Sequence, residues 1–342
     1  HGTDRSAQIL IFLLIIELLI LINLDNHFRE NSTKFFVLLI LVISLKSFYM
    51  LYLVLLFPVL YYLIKDKKIA YLKDFLKNPF FYLSILIFIF ILLINFFNSG
   101  CLVYPVSITC FENFSWSIPV QEVSQMNNWY EQWSKGGAGP NFRVNNPEIY
   151  IQKFNWVDNW VTVYFFNKVS DFLYGIIFLS VIFFIIFNTK NSKIKLSYKR
   201  VLLIYLILVL LFIEWFYNHP ALRYGGYHLI ALLLFLPIAQ YLNKKEYLNF
   251  SINIRAYFLV FLTLSIFIGR NFNRLQKEEA QYNYKPIKKI IYHVDNSYFR
   301  IQNIFNDIVK INNDCINQFD YCNKHKDFNV KKIFGHIIFL RK

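Results

Sequence analysis

The chain has 342 residues, of which 56% are hydrophobic, 20% aromatic and only 17% charged, and its formal net charge is +15. An ordinary soluble domain carries roughly 25% charged residues, and the apolar residues here stand in runs too long for a core helix. Low charge, ten Gly and missing heptads exclude disorder, collagen and coiled coil, so the expected fold is an all-α polytopic membrane bundle.

The sequence opens on His1 and enters an apolar segment within a few residues, without a charged n-region or a small-residue cleavage site. It therefore does not read as a signal peptide. It reads as an N-terminally truncated fragment, with any function of earlier residues out of view. Apolar runs cover 8–24, 35–64, 80–97, 171–187, 201–217, 226–242 and 253–269. Most lie near the lower limit for crossing a hydrocarbon core of roughly 30 Å. The 35–64 run is too long, since one helix over it would reach roughly 45 Å. Lys46 interrupts its middle, and a lysine at the bilayer centre is expensive unless it faces a polar cavity or marks a break. Two short spans, about 35–46 and 48–64, are expected with Lys46 at the turn, which makes about eight spans.

Loop charge orients the set. Lys65, Lys67, Lys68, Lys73 and Lys77 fill the 65–79 loop; Lys190, Lys193, Lys195, Lys199 and Arg200 fill 188–200; Lys244 and Lys245 follow. Basic loops stay on the cytoplasmic side, and this use of the net charge is commoner than nucleic-acid binding. Parity then puts Lys46, the 98–170 loop, the 218–225 loop and the tail outside a bacterial inner membrane. All four cysteines, Cys101, Cys110, Cys315 and Cys322, fall in these outer segments, as suits an oxidising compartment. Of three pairings, the local one, 101–110 and 315–322, is simplest. Neither pair has metal-site spacing or a placed His, so no metal is expected. The organisation is thus spans over 1–97, an external Trp-rich loop or cap over 98–170, spans over 171–269, and an external tail over 270–342. That tail reads as a small mixed α/β lobe, strand-like at 288–294 and 332–340 and helical at 298–311.

The long loop holds Trp116, Trp129, Trp133, Trp156 and Trp160. Trp156 and Trp160 precede a span and read as interfacial anchors. Trp116, Trp129 and Trp133 lie mid-loop, where they fit the core of a folded cap or a glycan-binding face, because aromatic rings stack on sugars. Glu17 lies within the first span and reads as a helix-pairing or protonated acid; Glu214 lies near the outer end of its span. Asn218-His219-Pro220-Ala221-Leu222-Arg223-Tyr224-Gly225-Gly226-Tyr227-His228 is the most informative stretch. Pro220 and the glycine pair impose a turn, and arginine is the side chain best shaped to hold a phosphate. Snorkelling of Arg223 and Tyr224 is the plain alternative.

Lys46 at an outer turn and Arg223-Tyr224 ahead of an apolar helix with Pro237 together resemble the GT-C class of integral-membrane glycosyltransferases. The turn is also similar to that of poorly characterised bacterial membrane proteins. The resemblance covers roughly 1–270. It implies a polyprenyl-phosphate-linked sugar donor at the external face, a glycan acceptor, and a lipid-phosphate site at Lys46, Arg223, His219 and Tyr224, with Glu214 and His228 as further candidates. It also implies a catalytic acid in the first external loop, mostly upstream of His1; Asp4 is what remains of that loop. The long Trp-rich loop and the cysteines depart from better-known members. An O-antigen ligase or polymerase-like enzyme and a non-catalytic membrane scaffold are the alternatives. A transporter is disfavoured, since no internal repeat is visible. P-loop, GxGxxG, HExxH and GxSxG motifs are absent, and no cofactor is named.

Overall fold

The structure is a computed structural model that describes residues 3–22, 28–114, 116–137, 144, 146–187, 198–242, 249–282, 313, 328–333 and 336–341. The chain divides into two compact units, 1–247 and 248–342. The first contains α1 (Thr3–Leu21), α2 (Phe28–Leu45), a 3-10 helix (Ser47–Leu55) running into α3 (Leu56–Lys65), and α4 (Ala70–Leu76). It continues through α5 (Pro79–Ser99), α6 (Val120–Lys135), α7 (Pro147–Ile151), α8 (Val157–Trp160), a π-helical stretch (Val161–Val169) and α9 (Ser170–Phe187). It closes with α10 (Tyr198–Asn218), a 3-10 turn (Leu222–Tyr224) and α11 (Gly226–Leu242). The second unit contains α12 (Asn249–Tyr282) and an antiparallel hairpin of β1 (Phe328–Ile333) and β2 (His336–Arg341), with Phe328 opposite Arg341.

Five helices are long and apolar enough to cross a membrane: Ser47–Lys65, Pro79–Ser99, Val157–Phe187, Arg200–Asn218 and Ile254–Lys277; Gly226–Tyr241 is apolar but shorter. The expected eight are therefore not all present among the described residues. The shortfall has a physical reason. α1 carries Arg5 and Glu17, and α2 carries Arg29, Glu30 and Lys34. These two charged helices form the centre of the unit instead, where Leu14, Ile15 and Leu18 pack with Phe35, Leu39 and Val42, all buried. The more apolar helices face outward: Phe80, Phe90 and Ile94 of α5 and Phe178 and Ile185 of α9 are exposed. An apolar surface this extensive suits lipid rather than water.

The long run breaks where the lysine stands. α2 ends at Leu45, Lys46 is extended (φ −162°, ψ 125°), and the next helix starts at Ser47. Hydrogen bonds then fix which ends lie together. Arg200, at the start of α10, donates to Asp66 beyond α3 (2.7 Å) and to the Ile22 carbonyl beyond α1 (2.5 Å). At the other end, Gln8 of α1 donates to the Arg223 carbonyl (3.1 Å). The Lys46 turn and the 218–225 turn thus share one end of the bundle, and Asp66 and Arg200 share the other.

Two further expectations are corrected. The span placed at 171–187 begins much earlier, at Val157, so the Trp-rich segment ends near Trp156. Of the C-terminal lobe, the strand at 288–294 and the helix at 298–311 lie outside the described residues. The single strand at 332–340 is instead a hairpin whose strands end at Ile333 and resume at His336.

Candidate functional site

The 218–225 turn is held by side chains from three directions. The Trp215 indole of α10 donates to the Ala221 carbonyl (3.0 Å), and the Trp160 indole donates to the Pro220 carbonyl (3.0 Å). The Tyr164 hydroxyl accepts from the Leu222 N–H (2.9 Å). The turn needs its glycines: Gly225 has φ +141°, and a Cβ on Gly226 would stand 2.3 Å from the Trp215 ring. Trp156 and Trp160 are not lipid anchors. They are buried and pack on Phe216 at 5.4 and 5.5 Å. Their helix starts one residue after Trp156, which turns both indoles toward α10 rather than outward.

On this scaffold Lys46, His219, Arg223 and Tyr224 come together. The Lys46 ammonium lies 4.4 Å from the centre of the Tyr224 ring, and the Arg223 guanidinium lies 5.5 Å from the same ring. The guanidinium also covers Trp133 at 5.2 Å. Such contacts hold a cation without neutralising it. The His219 ring lies edge-on to Tyr224 (6.0 Å) and Phe48 (5.7 Å), and its Nδ1 is buried without a hydrogen-bond partner. Burial, with Lys135 and Lys46 adding repulsion, lowers the His219 pKa to about 4. The imidazole is therefore neutral at neutral pH, and the positive charge comes from lysine and arginine.

Other candidates are placed differently. His228 is fully buried in α11; its Nε2 is hydrogen-bonded to the Tyr52 hydroxyl, and its ring packs against Tyr49 at 5.8 Å. It supports the helix beneath the turn. Glu214 accepts from Asn218 of its own helix (3.1 Å). Asp4 lies in the first turn of α1, and its side chain is outside the described residues. Cys101 and Cys110 are joined in a disulfide; Cys315 and Cys322 are outside the described residues. Among the described residues no group of His, Cys, Asp and Glu could hold a metal ion.

Sequence reasoning missed Gln8, Trp133, Lys135 and Tyr164. Lys135 is fully buried, yet its ammonium is bonded to the Glu131 carboxylate and the Ile151 carbonyl (2.8 Å), beside the rings of Trp156 and Tyr217. The available signal was helical spacing. Glu131 and Lys135 stand four apart, as do Trp156, Trp160 and Tyr164.

The fold and site are those of a helical chain with several potential membrane spans and a cation cluster at one end of the bundle. The chain belongs to the family described as "Domain of unknown function (DUF8201)", whose family model matches residues 2–230. Every site residue named above, from Gln8 to His228, lies in that stretch. No curated protein and no solved structure matches the chain.

Proposed function

We propose that this chain is an integral-membrane glycosyltransferase-like protein of GT-C type that takes a polyprenyl-phosphate-linked sugar at the external face of a bacterial inner membrane. The observation that carries the reading is the meeting of Lys46 and Arg223, far apart in sequence, about the Tyr224 ring. A lipid-linked phosphate brings its anionic group to the surface, where partly desolvated cations interact more strongly than in water. In the transfer, Lys46 and Arg223 stabilise charge on the leaving phosphate. Neutral His219 offers a hydrogen bond from its unsatisfied Nδ1. The transfer also calls for a carboxylate as general base on the acceptor hydroxyl.

The test is binding of a polyprenyl phosphate to the chain in nanodiscs, with the uncharged polyprenol as control. A charge-assisted hydrogen bond contributes on the order of 1.5–3 kcal/mol. Arg223→Ala should therefore weaken phosphate-lipid binding by roughly ten- to a hundred-fold, and Lys46→Ala comparably. Arg223→Lys recovers part of the loss, because an ammonium cannot make the paired contact. Unchanged binding in both alanine variants would leave only snorkelling side chains and remove the proposal.

A further inference from the structure

Away from the cation cluster, α6 and α7 enclose a groove of about 460 Å³. Its long wall is one face of α6. Gln125, Asn128, Trp129 and Gln132 recur at the i, i+3, i+4, i+7 spacing that stacks side chains along a helix. Asn146 and Glu148, at the start of α7, face them across the groove. The walls are fixed to each other: the Tyr150 hydroxyl donates to the Lys135 carbonyl (3.1 Å), and the buried Lys135 ammonium donates to the Ile151 carbonyl. The N-terminus of α6 is held in turn by the Glu112 carboxylate, which accepts from the Val120 N–H (2.6 Å). The groove is therefore shaped before any ligand arrives, which lowers the entropic cost of binding.

The lining has a definite chemistry. The amides of Gln125, Asn128, Gln132 and Asn146 make no hydrogen bond to the described protein, and among the described residues no lysine or arginine lines the groove. Each amide offers both donor and acceptor, which matches sugar hydroxyls, themselves both donors and acceptors. Trp129 is exposed and presents a broad apolar ring face to C–H groups of a pyranose. The one charged group among the described lining residues is the Glu148 carboxylate, which repels a phosphate or a carboxylate.

We infer that the α6–α7 groove is a binding site for a neutral oligosaccharide. Its link to the cation cluster is direct. Trp133, one residue after Gln132 on α6, carries the Arg223 guanidinium. A sugar chain on Trp129 therefore lies about one helical turn, roughly 6 Å along the axis, from the residue that contacts Arg223. That is where an acceptor glycan would present its hydroxyl to the donor. The acceptor role rests on the transferase reading; binding of the oligosaccharide does not.

The experiment is direct binding of chitotetraose and maltotetraose to the full chain in nanodiscs, followed by saturation-transfer NMR and tryptophan fluorescence. Saturable binding of at least one probe is expected. Trp129→Ala weakens it ten-fold or more, Trp129→Phe keeps part of it, and Gln132→Leu weakens it several-fold. Trp116→Ala, at an exposed ring stacked on Phe114 (4.6 Å) outside the groove, leaves it unchanged. Sugar binding is read with no phosphate lipid present, so a failure of the phosphate-lipid assay alone would not touch this inference. Absence of saturable binding by both sugars, or binding indifferent to Trp129→Ala and Gln132→Leu, overturns it.

Discussion

His219 shows how a single side chain reports the electrostatics of the cluster. Its pKa, about 4 against an ordinary value near 6.5, means that the unfolded chain takes up a proton at a pH where the folded chain does not. Between these two values the unfolded state binds more protons, so stability falls as the pH is lowered from about 6.5 to about 4. Above 6.5 the histidine is neutral in both states and contributes no such penalty. The full loss is on the order of 3 kcal/mol, at about 1.4 kcal/mol per pH unit. The measurement is melting temperature against pH for the detergent-solubilised protein and for His219→Gln. The wild type should lose ground to the variant over that window; a constant gap between the two curves would show that the imidazole is not buried among cations.

At the scale of elements, the helix that begins at Val157 positions the turn. Trp156, just ahead of it, and its buried residues Trp160, Tyr164 and Val169 step by four, four and then five. The step of five falls in the π-helical stretch, which accommodates one extra residue and re-aims the face that follows. The stretch thus allows Tyr164 to meet the turn while Ser170–Phe187 continues across the bundle. Tyr164→Phe would strand the buried Leu222 N–H, at a cost of about 1–3 kcal/mol. Thermal unfolding should show that loss, and phosphate-lipid binding should weaken with it because Arg223 rides on the same turn. Tyr174→Phe on exposed surface should do neither. The sequence made much of this legible but not all. The apolar run at 80–97 is α5, and Lys46 marks a real break. The start at Val157 was hidden because Asp158, Asn159, Thr162, Asn167 and Lys168 dilute the hydropathy of that segment. Trp133 was grouped with a cap core or a glycan-binding face and not with the cation cluster, because nothing local says that a ring on α6 will cover an arginine on a distant turn.

At the scale of the whole molecule, the first unit has an apolar exterior and two chemically different ends. The end with Asp66 and Arg200 is held by an ion pair (2.7 Å) flanked by lysine-rich sequence. The other end carries the cation cluster and is entered from α5 through the segment with the Cys101–Cys110 disulfide. In the proposed orientation the second end faces outward, and this disulfide then stands in the oxidising compartment. Intact cells expressing a variant with Cys315→Ser and Cys322→Ser should then react at Cys110 with a membrane-impermeant maleimide after treatment with an impermeant reductant. Labelling that needs cell lysis would invert the orientation and take the external phosphate site with it.

The extended residue at Lys46 and the ring it meets on Tyr224 also set a timetable for biogenesis. At roughly 5–20 residues per second, Lys46 leaves the ribosome on the order of 10–30 s before Tyr224 does. Throughout that interval the lysine lacks the Tyr224 ring that its ammonium meets in the finished fold. The Lys46–Tyr224 contact waits for the 218–225 turn, close to the end of the stretch that the family model matches. A nascent chain stalled short of that turn would hold Lys46 without its Tyr224 contact.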